Sequence, residues 1–276
     1  MDRLLAKINR NIKERQPGGN VMTDDKAPVE LMGWKEAYLA VAALHILLGL
    51  SLWKFLPYAP DEKTTECGSH VMRLFSFIRN TPCLLKLLVL NGLSACMLTT
   101  YWTALTYLLS EQPFQCNAMQ ISIFSLAGWL GIYFVGWTGK HLSGANSSKF
   151  MDCCLYMYSG SMGIAYFGTD NILPVTVAAI IVAIIAQVMN AIIQNYMLAL
   201  KSENANSLNT IFLASNFLFA AAGAKLSVMA WNFREWIGVT GTIMVLAGLA
   251  LILWSVWKRS ILMTCDSVAG HDSKIR

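Results

Sequence analysis

An all-α, polytopic membrane fold is predicted by three features of this sequence. Of its 276 residues 55% are hydrophobic and 13% charged, far below the charge of about 25% typical of a water-facing domain. Seven stretches each approach or exceed the length that crosses a hydrocarbon layer, about 20 largely apolar residues. Each is too long and too poor in charge for a buried strand, and a helix lets a lone apolar run satisfy its own backbone in lipid.

In chain order the spans are expected over 36–57, 84–109, 118–138, 150–168, 172–199, 210–231 and 236–257. The implied organisation is a polar basic segment over 1–35, a first transmembrane helix over 36–57, and a cytoplasmic loop over 58–83. A six-helix bundle over 84–257 and a cytoplasmic tail over 258–276 follow. Within the loop, Val71, Leu74, Phe75 and Ile78 recur at the spacing of one helix face while Arg73 and Arg79 point elsewhere. That pattern predicts an amphipathic helix at the membrane surface or beneath the bundle. The leader MDRLLAKINRNIKER groups Leu4, Leu5, Ile8 and Ile12 on one side. It reads as a basic amphipathic helix and not as a signal peptide, because it has no apolar h-region.

Loop charge sets the expected orientation, since Lys and Arg near span ends are retained in the cytoplasm. Lys63, Arg73, Arg79, Lys140, Lys149, Lys201, Lys258, Arg259, Lys274 and Arg276 fall on one side if the loops alternate. Among the loops joining spans on the other side, only the last carries a basic residue, Arg234, beside Glu235. The carboxyl terminus is therefore expected inside. Seven spans then place the amino end outside, against the basic character of residues 1–35.

Composition also excludes several functions. The net charge of +5 does not point to nucleic acid, because seven of the 21 Lys and Arg precede residue 36 and no basic patch is interleaved with aromatics. The seven Cys include the adjacent pair Cys153 and Cys154 but no CxxC, so they indicate apolar filler, not a zinc site or disulfide framework. No His, Asp or Cys cluster sits at a bilayer face, so neither an enzyme nor a cofactor is expected. A heptahelical receptor shares the topology, but the third span lacks an acidic-Arg-aromatic end and the seventh lacks Asn-Pro-x-x-Tyr.

Polar residues within the spans are the candidates for function. Gln187, Asn190 and Gln194 fall on one helix face, and an unpaired amide in hydrocarbon costs several kcal/mol. They either line a polar pathway or bond a neighbouring helix. Thr99, Thr103 and Thr106 form a second stripe, with Tyr101 and Trp102 nearby, although threonines can bond their own backbone. Asn91 and Asn216 are single amides suited to packing. The sets Gly128, Gly131, Gly136 and Gly238, Gly241, Gly248 suggest close helix approach. Lys225 is an intramembrane cation, a candidate for substrate contact unless it snorkels to the interface. His45 reads as a hydrogen-bonded histidine, and Asp152 as a boundary charge near Lys149.

The ordered set of spans resembles the major facilitator superfamily, in its bacterial efflux-type branch. GWKEAYLAVAALHILLGLSLWKFLP, residues 33 to 57, is similar to a sixth helix running into the central loop. NGLSACMLTTYWTALTYLL resembles a seventh helix and SLAGWLGIYFVG a Gly-rich eighth. QNYMLALKSENANSLNTIFLASNF resembles the tenth helix, its turn and the start of the eleventh, with Leu208, Asn209 and Thr210 matching best. The resemblance implies helix six plus the second six-helix half of a twelve-helix fold. It further implies small-molecule efflux by alternating access in a bacterial inner membrane, with the substrate path between the halves. Substrate contacts are then expected from Gln187, Asn190, Gln194, Thr99, Trp102, Thr103 and Lys225. The partners expected are a small-molecule substrate, the lipid bilayer and a missing first half or second copy; no cofactor or metal is expected. Two departures go with an alternative, an inactive or partner-dependent remnant. Ala205 and Ser207 stand where such proteins tend to carry arginines, and Lys140 with His141 where they show an Asp-Arg pair.

Overall fold

The computed structural model describes residues 34–55, 81–139, 145–200 and 205–272. The amphipathic helices expected in the leader and around 71–78, and the turn holding Lys140 and His141, lie outside these residues. The described segments are helical, with no strand among them, as an all-α polytopic membrane protein requires. The chain divides into two units, Met1–Glu62 and Lys63–Arg276.

In the first unit, α1 runs over Trp34–Phe55. His45 Nδ1 lies 2.8 Å from the Val41 carbonyl, and the Ser51 hydroxyl donates to the Leu47 carbonyl. Both polar side chains thus meet their own helix one turn back, the lowest-cost partner in an apolar run.

The second unit begins with α2, Pro82–Ser110. Its proline occupies the first turn, where an amide proton has no intrahelical acceptor. Next comes a span that the apolar pattern presents as continuous over 118–138. It is instead α3, Ala118–Ile123, a 3₁₀ turn over Phe124–Leu126, and α4, Ala127–Gly139. The start of α3 is a capping box. Asn117 Oδ1 accepts from the Gln120 amide, and Gln120 Oε1 accepts from the Asn117 amide, each at 2.9 Å. Then follow α5, Ala145–Tyr166, and α6, Ile172–Leu200, entered through Asn171, whose Oδ1 accepts from the Leu173 amide.

The last element, α7, covers Ala205–Asp272 as two helical legs divided at Arg234 and Glu235, which depart from helical dihedrals. Among the described residues five helical stretches are long and apolar enough to span a membrane, one of them the 57-residue stretch Leu208–Thr264 that contains both legs of α7. Helix α5 is not among the five; it carries Lys149 and Asp152 within its first turns.

At the break Glu235 adopts φ of 49° and ψ of −135°, a region open to glycine but strained for a side-chain-bearing residue. The fold accepts this because the chain must reverse over a single turn. Gly238 sits close beneath: a β-carbon there would lie 2.4 Å from the Ala230 carbonyl oxygen. Glu235→Gly is therefore expected to stabilise the chain by about 1 kcal/mol, read as a raised thermal midpoint in detergent. An unchanged or lowered midpoint would mean that Glu235 carries a compensating contact.

Side-chain contacts fix the helix directions. Helix α2 and the first leg of α7 run parallel in constant register. The Ser215 hydroxyl donates to the Leu88 carbonyl, 127 positions away, and the same offset relates Phe219 to Gly92 and Gly223 to Cys96. The second leg runs back antiparallel to both α2 and α5. Lys86 Nζ donates to Ser260 at one end, while Trp236 Nε1 donates to the Ala165 carbonyl and its ring packs edge-on against Tyr101 at the other. The buried core is formed largely by α2, α5, α6 and the second leg, with Tyr101, Tyr158, Trp236 and Trp254 among its largest side chains.

Candidate functional site

The α6 amides occupy one face, and the structure shows what each meets. Gln187 lies under α4, where a β-carbon on Gly131 would come within 2.9 Å of its Cγ. Only a residue without a side chain lets α4 approach an amide stem so closely. Asn190 is half-buried, and its Oδ1 is shielded with no hydrogen-bond partner among the described residues. Gln194 Nε2 donates to Asn209 Oδ1 at 3.2 Å, joining α6 to the first leg of α7. These two amides border a shallow surface cleft with Met197, Leu198, Leu208 and Phe212.

The other candidates are not joined to this row by hydrogen bonds. Thr99, Trp102 and Thr103 are half-buried on α2, and Lys225 is exposed on the first leg of α7. Thr106 bonds the Trp102 carbonyl one turn back, as a threonine in an apolar helix commonly does. Thr100, next to Thr99, bonds across helices: its hydroxyl reaches both the Cys96 carbonyl and, at 3.0 Å, the Gly223 carbonyl of α7. Of the glycine sets, Gly131 meets another helix and Gly238 its own turn, whereas Gly128, Gly136, Gly241 and Gly248 face open space. The tight crossings belong to Gly92 and Gly223, which local sequence clustering does not single out.

Asp152 is not a free boundary charge. Its carboxylate accepts from Lys258 Nζ at 2.5 Å and from Trp254 Nε1 at 2.6 Å, so α5 is bound to the second leg of α7. Both ionic side chains retain about a third of their exposure, and water moderates the pairing. The Trp254 indole adds a donor that salt cannot screen away, and its ring leans on Tyr196 of α6. Asp152→Ala is expected to lower the midpoint more than Lys258→Met. The first substitution strands both a buried indole donor and a cation, whereas the second leaves the carboxylate its indole. Equal losses in thermal melts would mean that the indole bond contributes nothing.

Basic residues collect at the end of the bundle that holds this pair. Lys86, Lys149, Lys258 and Arg259 lie there, and the opposite end has Arg234 beside Glu235, with Glu111 and Asp170. Among the described residues no group of three or more His, Cys, Asp or Glu is placed to hold a metal ion.

Over 224 residues the chain is 24% identical to an uncharacterized transporter, YgaY, of Escherichia coli O157:H7, and equally to the protein of that name in strain K12. Each alignment covers 81% of this chain and 57% of the relative. The chain thus spans little more than half the length of the curated relatives it matches. No family model matches it, and no solved structure does.

Proposed function

We propose that this chain supplies one bundle of a small-molecule transporter of the major facilitator type, working by alternating access and directed outward. The observation that carries the reading is the amide face Gln187, Asn190 and Gln194 in the middle of the apolar helix α6, combined with likeness to proteins named transporters over most of this chain. A polar face inside a spanning helix requires a buried partner or an aqueous path. Gln194 already joins α6 to α7 by a single side-chain bond, of the kind that averages about 0.6 kcal/mol in membranes. Such a contact is weak enough to break and remake as helices rock. The row α2 presents, Thr99, Trp102 and Thr103, and the cation Lys225 complete the proposed pathway.

In this reading the bundle works against a second bundle, supplied by further chain, by a partner or by a second copy. The end bearing Lys86, Lys149, Lys258 and Arg259 faces the cytoplasm, so the carboxyl terminus is inside, in a bacterial inner membrane. In a cysteine-free background, an impermeant thiol reagent is expected to label Gln112→Cys in intact cells and to spare Lys274→Cys. The reverse pattern overturns the orientation.

A second reading, an inactive or partner-dependent remnant, is favoured by Ala205 and Ser207, which stand where efflux-type members tend to carry arginines. The two readings separate in cells that express the chain alone or with a first-half bundle and are loaded with neutral, cationic and anionic fluorescent dyes. Reduced accumulation of any dye that is lost in Gln187→Leu/Gln194→Leu supports transport. Unchanged accumulation of every dye, with the protein shown to be inserted, leaves the remnant.

A further inference from the structure

Several buried polar atoms have no hydrogen-bond partner among the described residues, and most of them share one depth of the bundle. Asn91 is completely buried on α2, with both Oδ1 and Nδ2 unpartnered, and Ser94, one turn on, is equally buried with an unpartnered hydroxyl. Asn190 of α6 and Asn216 of α7 each contribute a shielded, unpartnered Oδ1.

Register places these groups together in depth. The constant offset of 127 between α2 and the first leg of α7 sets Asn216 level with Val89. Helix α6 runs antiparallel to α2 between two anchors. Tyr101 donates to the Val175 carbonyl at one end, and at the other Tyr196 leans on Trp254 of the same leg whose Ser260 accepts from Lys86. Between those anchors, at about 1.5 Å per residue, Asn190 comes within about one turn of the depth of Asn91. Three amides on three helices and a hydroxyl therefore occupy one layer, where an orphaned polar group costs about 1–3 kcal/mol.

We propose that Asn91, Ser94, Asn190 and Asn216 form a seat for a small uncharged guest bearing hydroxyl or amide groups, closed over in this conformation and opened when the helices part. As an assignment of cargo class it rests on the transporter reading. The atoms select the class. Three carbonyl oxygens call for donors, Asn91 Nδ2 calls for an acceptor, and the Ser94 hydroxyl serves as either. A hydroxyl or amide group satisfies both demands, whereas a bare cation leaves the amide donor unpaired and an anion faces three carbonyl dipoles. The charged side chains near this depth are engaged with other groups, Lys86 with Ser260 and Asp152 with Lys258, and Lys225, level with Leu98, is exposed.

The test uses the full chain in nanodiscs and three size-matched probes, glycerol, its amine serinol and its acid glycerate, with thermal midpoint as the readout. A guest that binds only the folded form raises the midpoint with its concentration. Wild type is expected to respond more to glycerol than to either charged probe, and Asn91→Leu to lose at least about half of that extra response. Asn216→Leu, at a half-exposed position, provides a second variant should Asn91→Leu fold poorly. Equal glycerol responses in wild type and both variants overturn the seat, as does a larger response to serinol or glycerate. The assay needs no transport, so a failed seat leaves the transporter reading standing. A chain that binds glycerol through Asn91 yet moves no solute refutes transport alone.

Discussion

Gly223→Val is expected to abolish recovery of folded, monodisperse protein in detergent, while Gly241→Val leaves it unchanged. At Gly223 the first leg of α7 presses on α2 so closely that a β-carbon would lie 2.4 Å from the Cys96 carbonyl oxygen and 3.0 Å from two further backbone atoms. Backbone cannot swing aside as a side-chain tip can, so both helices must separate. Separation also breaks the bond from Thr100 to the Gly223 carbonyl and disturbs the contacts in register at Leu88 with Ser215 and at Gly92 with Phe219. Overpacking costs about 1–3 kcal/mol in cores that can relax, and a collision with backbone lies at or beyond the upper end. In lipid the loss falls on the interaction that holds helices together, because packing rather than water exclusion drives their association. Gly241 is the control, since a β-carbon there would meet nothing within 4 Å. Size-exclusion profiles and thermal melts of the two variants decide the matter; a folded Gly223→Val with a wild-type midpoint would mean that the α2–α7 crossing is looser than described.

Asn91→Leu is expected to raise the thermal midpoint, the opposite of what most core substitutions do. Its amide is fully buried with neither polar atom partnered among the described residues, and leucine has the same number of side-chain heavy atoms in a similar branched shape. Removing the desolvation cost of an unpaired amide gains about 1–3 kcal/mol, which for a chain of this size corresponds to about 2–4 °C for each kcal/mol. Asn91→Ala separates the terms, since it removes the same polar group but leaves a void that offsets the gain. The expected order is leucine, then alanine, then wild type or close to it. A fall in midpoint for leucine would show that Asn91 is satisfied in the folded protein and would weaken the seat built on it. A stable variant that no longer responds to glycerol would instead show stability given up for binding, a common exchange at functional sites.

The two expectations differ in how visible they are in the sequence. Asn91 and Asn216 stand out there as lone amides in apolar runs, and the amide face of α6 follows from spacing alone. What spacing cannot tell is that Asn91 has no partner among the described residues while Gln194 has one, Asn209, 15 positions on. The glycines are less legible still. Gly128, Gly131 and Gly136 cluster at helical spacing, yet two of the three face open space, while isolated Gly92 and Gly223 carry the tight crossings. The pair Asp152 and Lys258, 106 positions apart, left no local signal at all. The start of α3 did leave one, the Asn-x-x-Gln spacing of a capping box at Asn117 and Gln120, whereas the break at Phe124–Leu126 is hidden among apolar residues.

What the sequence determined by itself is the helical, membrane-embedded class of the protein, the approximate place of each helix, and the end of the bundle that gathers positive charge. These follow from properties that act along the chain: a run of apolar residues long enough to cross lipid must bond its own backbone, and loop charge is read near each span. Only the tertiary structure decided which glycine meets which helix, which carboxylate finds a lysine, and which amides are left without partners among the described residues. Those outcomes depend on the crossing, direction and register of helices far apart in sequence, and register along a helix is set by side-chain packing, to which a one-dimensional pattern of polarity is blind.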